Sequence, residues 1–303
     1  MKNPFSIYDF LGYLFPGLLM TSLCLYLYKD SQTLEGLLQM DTLKSIAEGK
    51  GFKFSLETSI LYVIVSYVMG HVVSYLSSVF IENFTNKVYG YPSHYLLNDD
   101  NYKYKDLWVR YFGTSASSSN KYMKIVKKVL KFLLKVIMAI FILPVTLSVF
   151  TIGYLLDINH FITRSLEDDK LIKMIKDKYG ALCNYLKIEK ANDNADFHRI
   201  IMHYVYINVQ NCQPKVGNYI ALYGFLRCMS FLSCLLFTSL LYKAILSISP
   251  SSEFDGIMIL LMLTIYILAY ILFLGFVKFY RRNTLEDFMT LVVDKNLLAK
   301  NGE

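Results

Sequence analysis

The stretch from Val136 to Leu156 constrains this chain more than any other part of its sequence. It reads VIMAIFILPVTLSVFTIGYLL, 21 residues without a charge, with Pro144 near the middle. Crossing about 30 Å of hydrocarbon at about 1.5 Å per residue takes roughly 20 residues, so length alone qualifies the stretch as a membrane span. Proline removes a backbone donor and clashes with the preceding turn, so two half-helices can meet at Pro144. The stretch is therefore either a span or a broken segment that enters and leaves on one face.

The charges on either side of this stretch favour the broken segment. Ten Lys and Arg residues lie in 82–135 and nine in 157–218, and positive charge collects on the cytoplasmic side of membrane proteins. If four other segments span and 136–156 does not, the cytoplasmic side holds about 25 cationic residues against about five outside. If all five span, the division is about 12 inside against 18 outside. We therefore predict four spans plus a Pro-broken segment embedded in the membrane.

The composition places the chain among integral membrane proteins. Hydrophobic residues make up 54% of 303 and aromatic residues 16%, and the mean hydropathy is +0.37. The net charge of +7 comes almost wholly from the predicted cytoplasmic parts. It indicates anionic partners there, namely lipid, nucleotide or nucleic acid, although the positive-inside rule alone also produces such a balance. The predicted fold class is all-α, a polytopic helical membrane protein with a helical cytoplasmic region.

The same pattern divides the chain into six segments. Both termini fall on the cytoplasmic face of the inner membrane in this topology. The segments are 1–81 (the first two spans with a short external segment), 82–135 (basic, cytoplasmic), 136–156 (the broken apolar segment), 157–218 (a cytoplasmic helical block), 219–277 (the last two spans) and 278–303 (a cytoplasmic C-terminal helix capped by Thr284).

A ridge of small residues runs down the second predicted span. Ser66, Gly70, Ser74 and Ser78 recur every four residues and so share one helical face. Such ridges let helices approach closely in lipid. Alternatively the hydroxyls line an aqueous path, a reading that the neighbouring His71 supports because ionisable residues inside membranes mark functional sites. The residues are candidates for a packing ridge or for a pore, and Pro144 joins them as the break in the other pore candidate.

Arg227 lies inside the apolar stretch of the third span. An arginine near mid-membrane costs about 2.5 to 3.5 kcal/mol on insertion scales, so it needs a partner. In the four-span topology Asp9, Glu82 and Arg227 all lie toward the cytoplasmic ends of three different helices. We predict a buried pair of Arg227 with Glu82 or with Asp9, which acts either as a gate or as a structural staple.

Basic and aromatic residues mix in the first cytoplasmic segment. Trp108 stands among Lys103, Lys105 and Arg110, an arrangement that suits a nucleobase with its phosphates or a membrane interface. Further along, five lysines repeat at intervals of three and four, which places them on one face of a basic amphipathic helix. The helix would contact either lipid headgroups or an anionic ligand. The five are Lys121, Lys124, Lys128, Lys131 and Lys135.

Catalytic and metal-binding patterns are not recognisable in this sequence. The five cysteines form no CxxC pair, and His198 and His203 lie about 140° apart on a helix, too far round to share a metal. We find no nucleophile with a base, no phosphate loop and no paired catalytic carboxylates. We expect no cofactor, no metal and no enzymatic activity.

Several short motifs resemble small multi-span bacterial proteins. They are YDFLGYLFP from Tyr8, GlyHis at 70–71, TyrGlyTyrPro at 89–92, PheHis at 197–198 and LeuTyrGlyPhe-x-Arg ending at Arg227. In outline the chain is similar to membrane effectors of nucleotide-controlled anti-phage defence, including the Hailong type. This resemblance implies an ion-conducting effector that a nucleotide ligand opens or closes.

Three functions remain open from the sequence. The first is an oligomeric channel, lined by the small-residue ridge and the broken segment and gated by an anionic ligand on its cytoplasmic side. The second is a transporter or membrane-embedded enzyme with His71 and Arg227 at a midplane site. The third is a non-conducting anchor that docks a cytoplasmic protein. The expected partners are membrane lipids, further copies of the chain, a nucleotide or oligonucleotide, and a cytoplasmic protein.

Overall fold

The computed structural model of the protein describes residues 9–29, 56–97, 107–113, 121–188, 197–209, 213–246, 256–294 and 297. Within these ranges every regular element is a helix, so the all-α prediction is confirmed for the described part of the chain. Two elements are π-helical turns, Phe10–Leu14 and Ser78–Glu82. The α-helices are α1 (Phe15–Lys29), α2 (Leu56–Ser77), α3 (Asn83–Val88), α4 (Pro92–Leu96), α5 (Leu107–Phe112), α6 (Lys121–Phe141), α7 (Leu143–Phe150), α8 (Ile152–Leu155), α9 (Ile158–Ile162), α10 (Asp169–Tyr185), α11 (Phe197–Asn208), α12 (Gln213–Leu246) and α13 (Gly256–Val293).

Three helices in the described ranges are long and apolar enough to cross a membrane: Ser59–Leu96, Gln213–Leu246 and Gly256–Val293. The number rises to four if the bent pair Tyr122–Phe141 and Leu143–Leu155 forms one span. The first predicted span, 10–28, corresponds to a shorter apolar helix, Phe10–Leu25. These helices fit the predicted membrane class. The division into four spans and one embedded segment stays a prediction.

The apolar segment 136–156 is broken, as its proline predicts. Helices α6 and α7 meet at Ile142 with a bend of 99°, and Pro144 occupies the second position of α7, where its missing N–H leaves no helical bond unmade. The single proton of the Thr146 hydroxyl is shared among nearby carbonyl oxygens, among them those of Ala139 at 3.1 Å and Ile142 at 3.3 Å. The Ile142 carbonyl also accepts from the Val145 and Thr146 amides at 3.0 Å, so backbone and side-chain donors together surround the break.

The boundary predicted at 135/136 is not a structural one. Helix α6 continues through Lys135 to Phe141 without interruption, because no residue between Lys121 and Phe141 breaks a helix. The basic helix and the first part of the apolar stretch are therefore one element.

Two hydrophobic cores organise the described residues. The first, here called the membrane core, joins α2, α3, α5, α7, α12 and the middle of α13, with Phe84, Phe231 and Phe273 among its largest buried side chains. The second lies in segments that the sequence predicts to be cytoplasmic and is here called the cytoplasmic core; it joins α4, α10, α11 and the end of α13, with Ile201 and Phe288 fully buried. The helical block predicted at 157–218 thus packs largely in the second core.

The C-terminal helix is not separate from the last span. Helix α13 runs unbroken from Gly256 to Val293, and Thr284 lies inside it with its hydroxyl directed to the Tyr280 carbonyl, 3.4 Å away, so the cap predicted at Thr284 is wrong. Residues 278–284 contain neither glycine nor proline, so no helix-breaking residue ends α13 within this range. The apolar side chains near the end of α13, including Phe288, pack against α4, α10 and α11.

Candidate functional site

Arg227 and Glu82 form an ion pair inside the bundle. Nη1 of Arg227 donates to Oε2 of Glu82, and the two side chains are 12% and 25% exposed. Arg227 comes from the middle of α12 and Glu82 from the π-helical turn that follows α2. The structure thus brings Arg227 together with Glu82, one of the two candidate carboxylates, whereas the role of this pair as a gate or a staple stays a prediction. Asp9, the other candidate carboxylate, is half-buried at the start of the first π-helical turn.

Serines of the second span complete the surroundings of this pair. Arg227 donates through Nε to the Ser77 hydroxyl at 3.2 Å and through Nη2 to the Ser74 carbonyl at 3.4 Å. The Ser78 hydroxyl donates to Glu82 Oε2 at 3.0 Å. The arginine is thus hydrogen-bonded on several sides, which offsets the cost of removing its charge from water. The last two residues of the predicted ridge, Ser74 and Ser78, therefore hydrogen-bond to the ion pair.

Both π-helical turns adjoin the ion-pair site. The Ser78–Glu82 turn carries the carboxylate itself, and in the Phe10–Leu14 turn the Gly12 carbonyl accepts a weak bond from the Cys228 thiol at 4.0 Å. Cys228 also lies 3.4 Å from the Ser77 hydroxyl. Single π turns inside α-helices occur frequently at functional sites. Both turns contact α12, at Arg227 and at the neighbouring Cys228, which marks this position as the candidate site of the membrane part.

The first two residues of the ridge, Ser66 and Gly70, pack against α1 and the π-helical turn before it. A Cβ at Gly17 would lie 1.8 Å from the Ser66 carbonyl oxygen, and one at Gly70 would lie 1.9 Å from the Tyr13 carbonyl oxygen. The Ser66 hydroxyl, fully buried, donates to the Thr21 hydroxyl at 3.3 Å. Two backbones approach so closely here that only glycine fits, which is the geometry of small-residue packing in membranes. In a single chain Ser66 and Gly70 are covered, so the geometry favours the packing alternative over the pore.

His71 faces outward on the same helix. Its ring stacks on Tyr13 with centroids 4.0 Å apart and meets the edge of Tyr67 at 4.8 Å, yet the residue is exposed in the single chain. Arg227 contacts Glu82, Ser74 and Ser77 instead. His71 and Arg227 therefore contact different side chains within the single chain.

The lysines of α6 lie on a strongly amphipathic helix. Lys124, Lys128 and Lys131 are exposed, and so are most apolar side chains on the other faces of α6, for example Val126 and Leu130. A helix with a charged stripe and a broad exposed apolar face is typical of a membrane interface. This geometry favours lipid headgroups over a soluble ligand for the lysines. The helix begins at Lys121, whose side chain is outside the described residues, as are Lys103 and Lys105.

Helix α5 holds Trp108 and Arg110 beside α6. Trp108 is 58% exposed and packs on Phe112 and on Phe150, with ring centroids 4.3 and 5.0 Å apart. At the end of α5 the Lys135 ammonium donates to the Gly113 carbonyl at 2.6 Å. Trp108 therefore belongs to an aromatic cluster at the elbow between α6 and α7.

Two polar contacts in the cytoplasmic core were missed by sequence reasoning. His198 Nε2 of α11 lies 3.1 Å from Oδ2 of Asp287, a side chain with 0% exposure on α13. The Tyr204 hydroxyl donates to Asp294 Oδ2 at 2.7 Å, and burial together with this bond raises the pKa of the Tyr204 phenol. Both contacts attach α11 to the end of α13. The only available signal was the presence of Asp287 on a face that is otherwise apolar.

Among the described residues no group of three or more His, Cys, Asp or Glu side chains could hold a metal ion. Comparisons with protein-family models, with curated proteins and with solved structures find no match.

Proposed function

We propose that this chain is a subunit of an oligomeric membrane channel, gated from the cytoplasmic side by an anionic ligand, a nucleotide or an oligonucleotide. The observation that carries the proposal is α13, which runs without a break from Phe273 in the membrane core to Phe288 in the cytoplasmic core. Packed cores have few alternative arrangements, so a displacement at one end of this helix moves the other. A ligand that prefers one arrangement of the cytoplasmic core would shift a closed–open equilibrium in the membrane.

The exposure of His71 supports an assembly of several copies. His71 lies near the middle of the second span, among the exposed side chains of Val68 and Val72. An ionisable side chain facing lipid at that depth is costly, and polar residues in spans almost always face a bundle interior or a water-filled cavity. A neighbouring subunit would cover this face. Because α1 and the π-helical turn before it cover Ser66 and Gly70, conduction would run along the surfaces between subunits.

The proposal includes a topology with both termini on the cytoplasmic face of the inner membrane. Four segments cross, and 136–156 enters and leaves on the cytoplasmic side. Single cysteines introduced as Asn120→Cys and Lys190→Cys into a Cys-free variant are both expected to resist a membrane-impermeant thiol reagent in intact cells. Both should react once the cells are opened. Labelling of one position but not the other in intact cells would refute this topology.

Ion flux through liposomes that contain only the purified protein tests the channel. We expect flux above that of empty liposomes, and a change of about 5- to 150-fold, the usual range of coupling between two sites, when single strands of about 4 to 8 nucleotides are added on the cytoplasmic face. The absence of ion flux in every condition, with folded and correctly oriented protein, would favour the non-conducting anchor that docks a cytoplasmic protein.

Paired histidine variants localise the coupling. His198→Ala removes the contact with Asp287 and should reduce the ligand-dependent change while flux itself persists. His203→Ala, on the exposed side of the same helix, is the matched control and should retain the full response. Equal behaviour of the two variants would contradict coupling through α11 and α13.

The resemblance to nucleotide-controlled defence effectors extends the proposal to anti-phage defence. Opening of such a channel would dissipate the membrane potential of an infected cell. Bacteria that carry the chain should then lose membrane potential upon infection, and cells carrying a non-conducting variant should not.

A further inference from the structure

The elbow between α6 and α7 encloses an apolar cleft. Its volume is about 220 Å³, and its walls come from α5, the end of α6 and α7, among them Trp108, Ile140, Leu147 and Phe150. Thr146 also borders it, but its hydroxyl is engaged with the carbonyls of the break. Nothing in the wall offers a water molecule the two to four polar partners it needs. A hydrocarbon chain is the occupant that suits such a wall.

Exposed apolar side chains surround the mouth of the cleft, as in a surface that contacts lipid acyl chains. Ile137, Ile140 and Leu147 around it are about half exposed, and the exposed apolar face of α6 continues along the same helix. A helix of this kind lies in the interface with its apolar face toward the acyl chains and its lysines among the headgroups. Trp108 fits the same level, because tryptophan is enriched at membrane interfaces.

Positive charge lies at one end of the cleft. Lys135 stands one helical turn before Ala139, which lines the cleft, and its ammonium is held at the Gly113 carbonyl directly after α5. Lys131 lies one helical turn before Lys135 on the same face of α6, and Lys87, in α3, is close enough for its charge to act on Lys135. Like charges in this arrangement repel one another, and an anion bound beside them would relieve that repulsion. The cleft thus combines an apolar wall with a cationic rim.

We propose that the elbow cleft binds one acyl chain of an anionic phospholipid, whose phosphate lies at the rim formed by Lys135, Lys131 and Lys87. Lysine is an established phosphate ligand, and basic pockets on the cytoplasmic side of membrane proteins bind acidic headgroups. A bound lipid would fill the space inside the 99° bend between α6 and α7 and would pack against α5. This inference is independent of the channel proposal, since it concerns a site that a non-conducting protein would possess equally.

The chain contains a single tryptophan, and it lines this cleft. The experiment reconstitutes the full chain into phosphatidylcholine vesicles with a small fraction of lipid brominated on its acyl chains, either phosphatidylglycerol or phosphatidylcholine. Bromine quenches tryptophan on contact. We expect brominated phosphatidylglycerol to quench Trp108 with an apparent affinity at least about fivefold higher than that of brominated phosphatidylcholine. Equal quenching by the two lipids would mean that Trp108 meets only bulk lipid, and would overturn the proposal.

Charge variants test the rim. Lys135→Gln should abolish most of the preference for phosphatidylglycerol, whereas Lys135→Arg, which keeps the charge, should retain it. Lys124→Gln is the matched control, because it lies on the same basic face but about 16 Å further from the cleft along the helix. A preference that survives in Lys135→Gln and is lost in Lys124→Gln would refute a localised site. If Lys135→Gln fails to fold, Lys131→Gln serves in its place with the same expected loss.

Discussion

Glu82→Gln is expected to lower the free energy of unfolding by roughly 3 kcal/mol, because it leaves the Arg227 guanidinium without its countercharge among apolar helices. Arg227→Met should cost somewhat less, roughly 2 kcal/mol, since the remaining carboxylate keeps the Ser78 hydroxyl and is closer to solvent. The double variant removes both charges and should be more stable than the sum of the single effects predicts. Thermal unfolding of the four proteins in detergent measures this coupling.

The exposed pair Lys215–Glu286 is the matched control for this cycle. Its atoms are 2.6 Å apart, but the lysine side chain is 56% exposed, and such surface pairs contribute about 0 to 1 kcal/mol. Lys215→Met and Glu286→Gln should therefore shift the unfolding midpoint little. Additive effects at Glu82 and Arg227, equal in size to those at the control pair, would show that the buried pair is not a staple.

Gly17→Ala and Gly70→Ala are expected to separate the first two helices. Each added Cβ would lie within 2 Å of a backbone oxygen of the facing helix, and backbone cannot move aside as a side chain can. Overpacking usually costs about 1 to 3 kcal/mol, and we expect the upper end because the hydrogen bond between Ser66 and Thr21 is also lost. The yield of folded protein and its unfolding midpoint in detergent report the effect.

Gly224→Ala provides the comparison for these two variants. It lies in α12, and a Cβ there would meet nothing within 4 Å. Alanine is the better helix former by about 0.8 to 1 kcal/mol, so this variant should be unchanged or slightly more stable. If Gly17→Ala behaved like Gly224→Ala, the close approach of α1 and α2 would be incorrect.

Local chemistry made part of the site predictable. Arg227 and Glu82 are charges in or beside apolar helices, so each required a partner and few were available. The break at Pro144 follows from the missing amide of proline, and the ridge of Ser66 and Gly70 follows from a four-residue period. In each case the sequence contains both the requirement and the residue that meets it.

Long-range arrangements were not predictable in the same way. His198 and Asp287 are 89 positions apart, and neither residue indicates the other in the sequence. Thr284 with acidic residues after it has the composition of a helix start, yet the cap requires that the preceding helix end, and nothing between Lys278 and Thr284 ends it. Helix α13 therefore continues through Thr284 in spite of the local capping pattern.

The π-helical turn at Ser78–Glu82 makes the direction of one carboxylate depend on helical register. A π turn holds its residues by bonds that span five positions instead of four, so the helix contains one residue more than an α-helical path of the same course would need. If this turn closed into α-helical geometry, every residue after it would advance by one position, a rotation of about 100° and a rise of about 1.5 Å. Glu82, the last residue of the turn, would then swing away from Arg227 while α2 stayed in place.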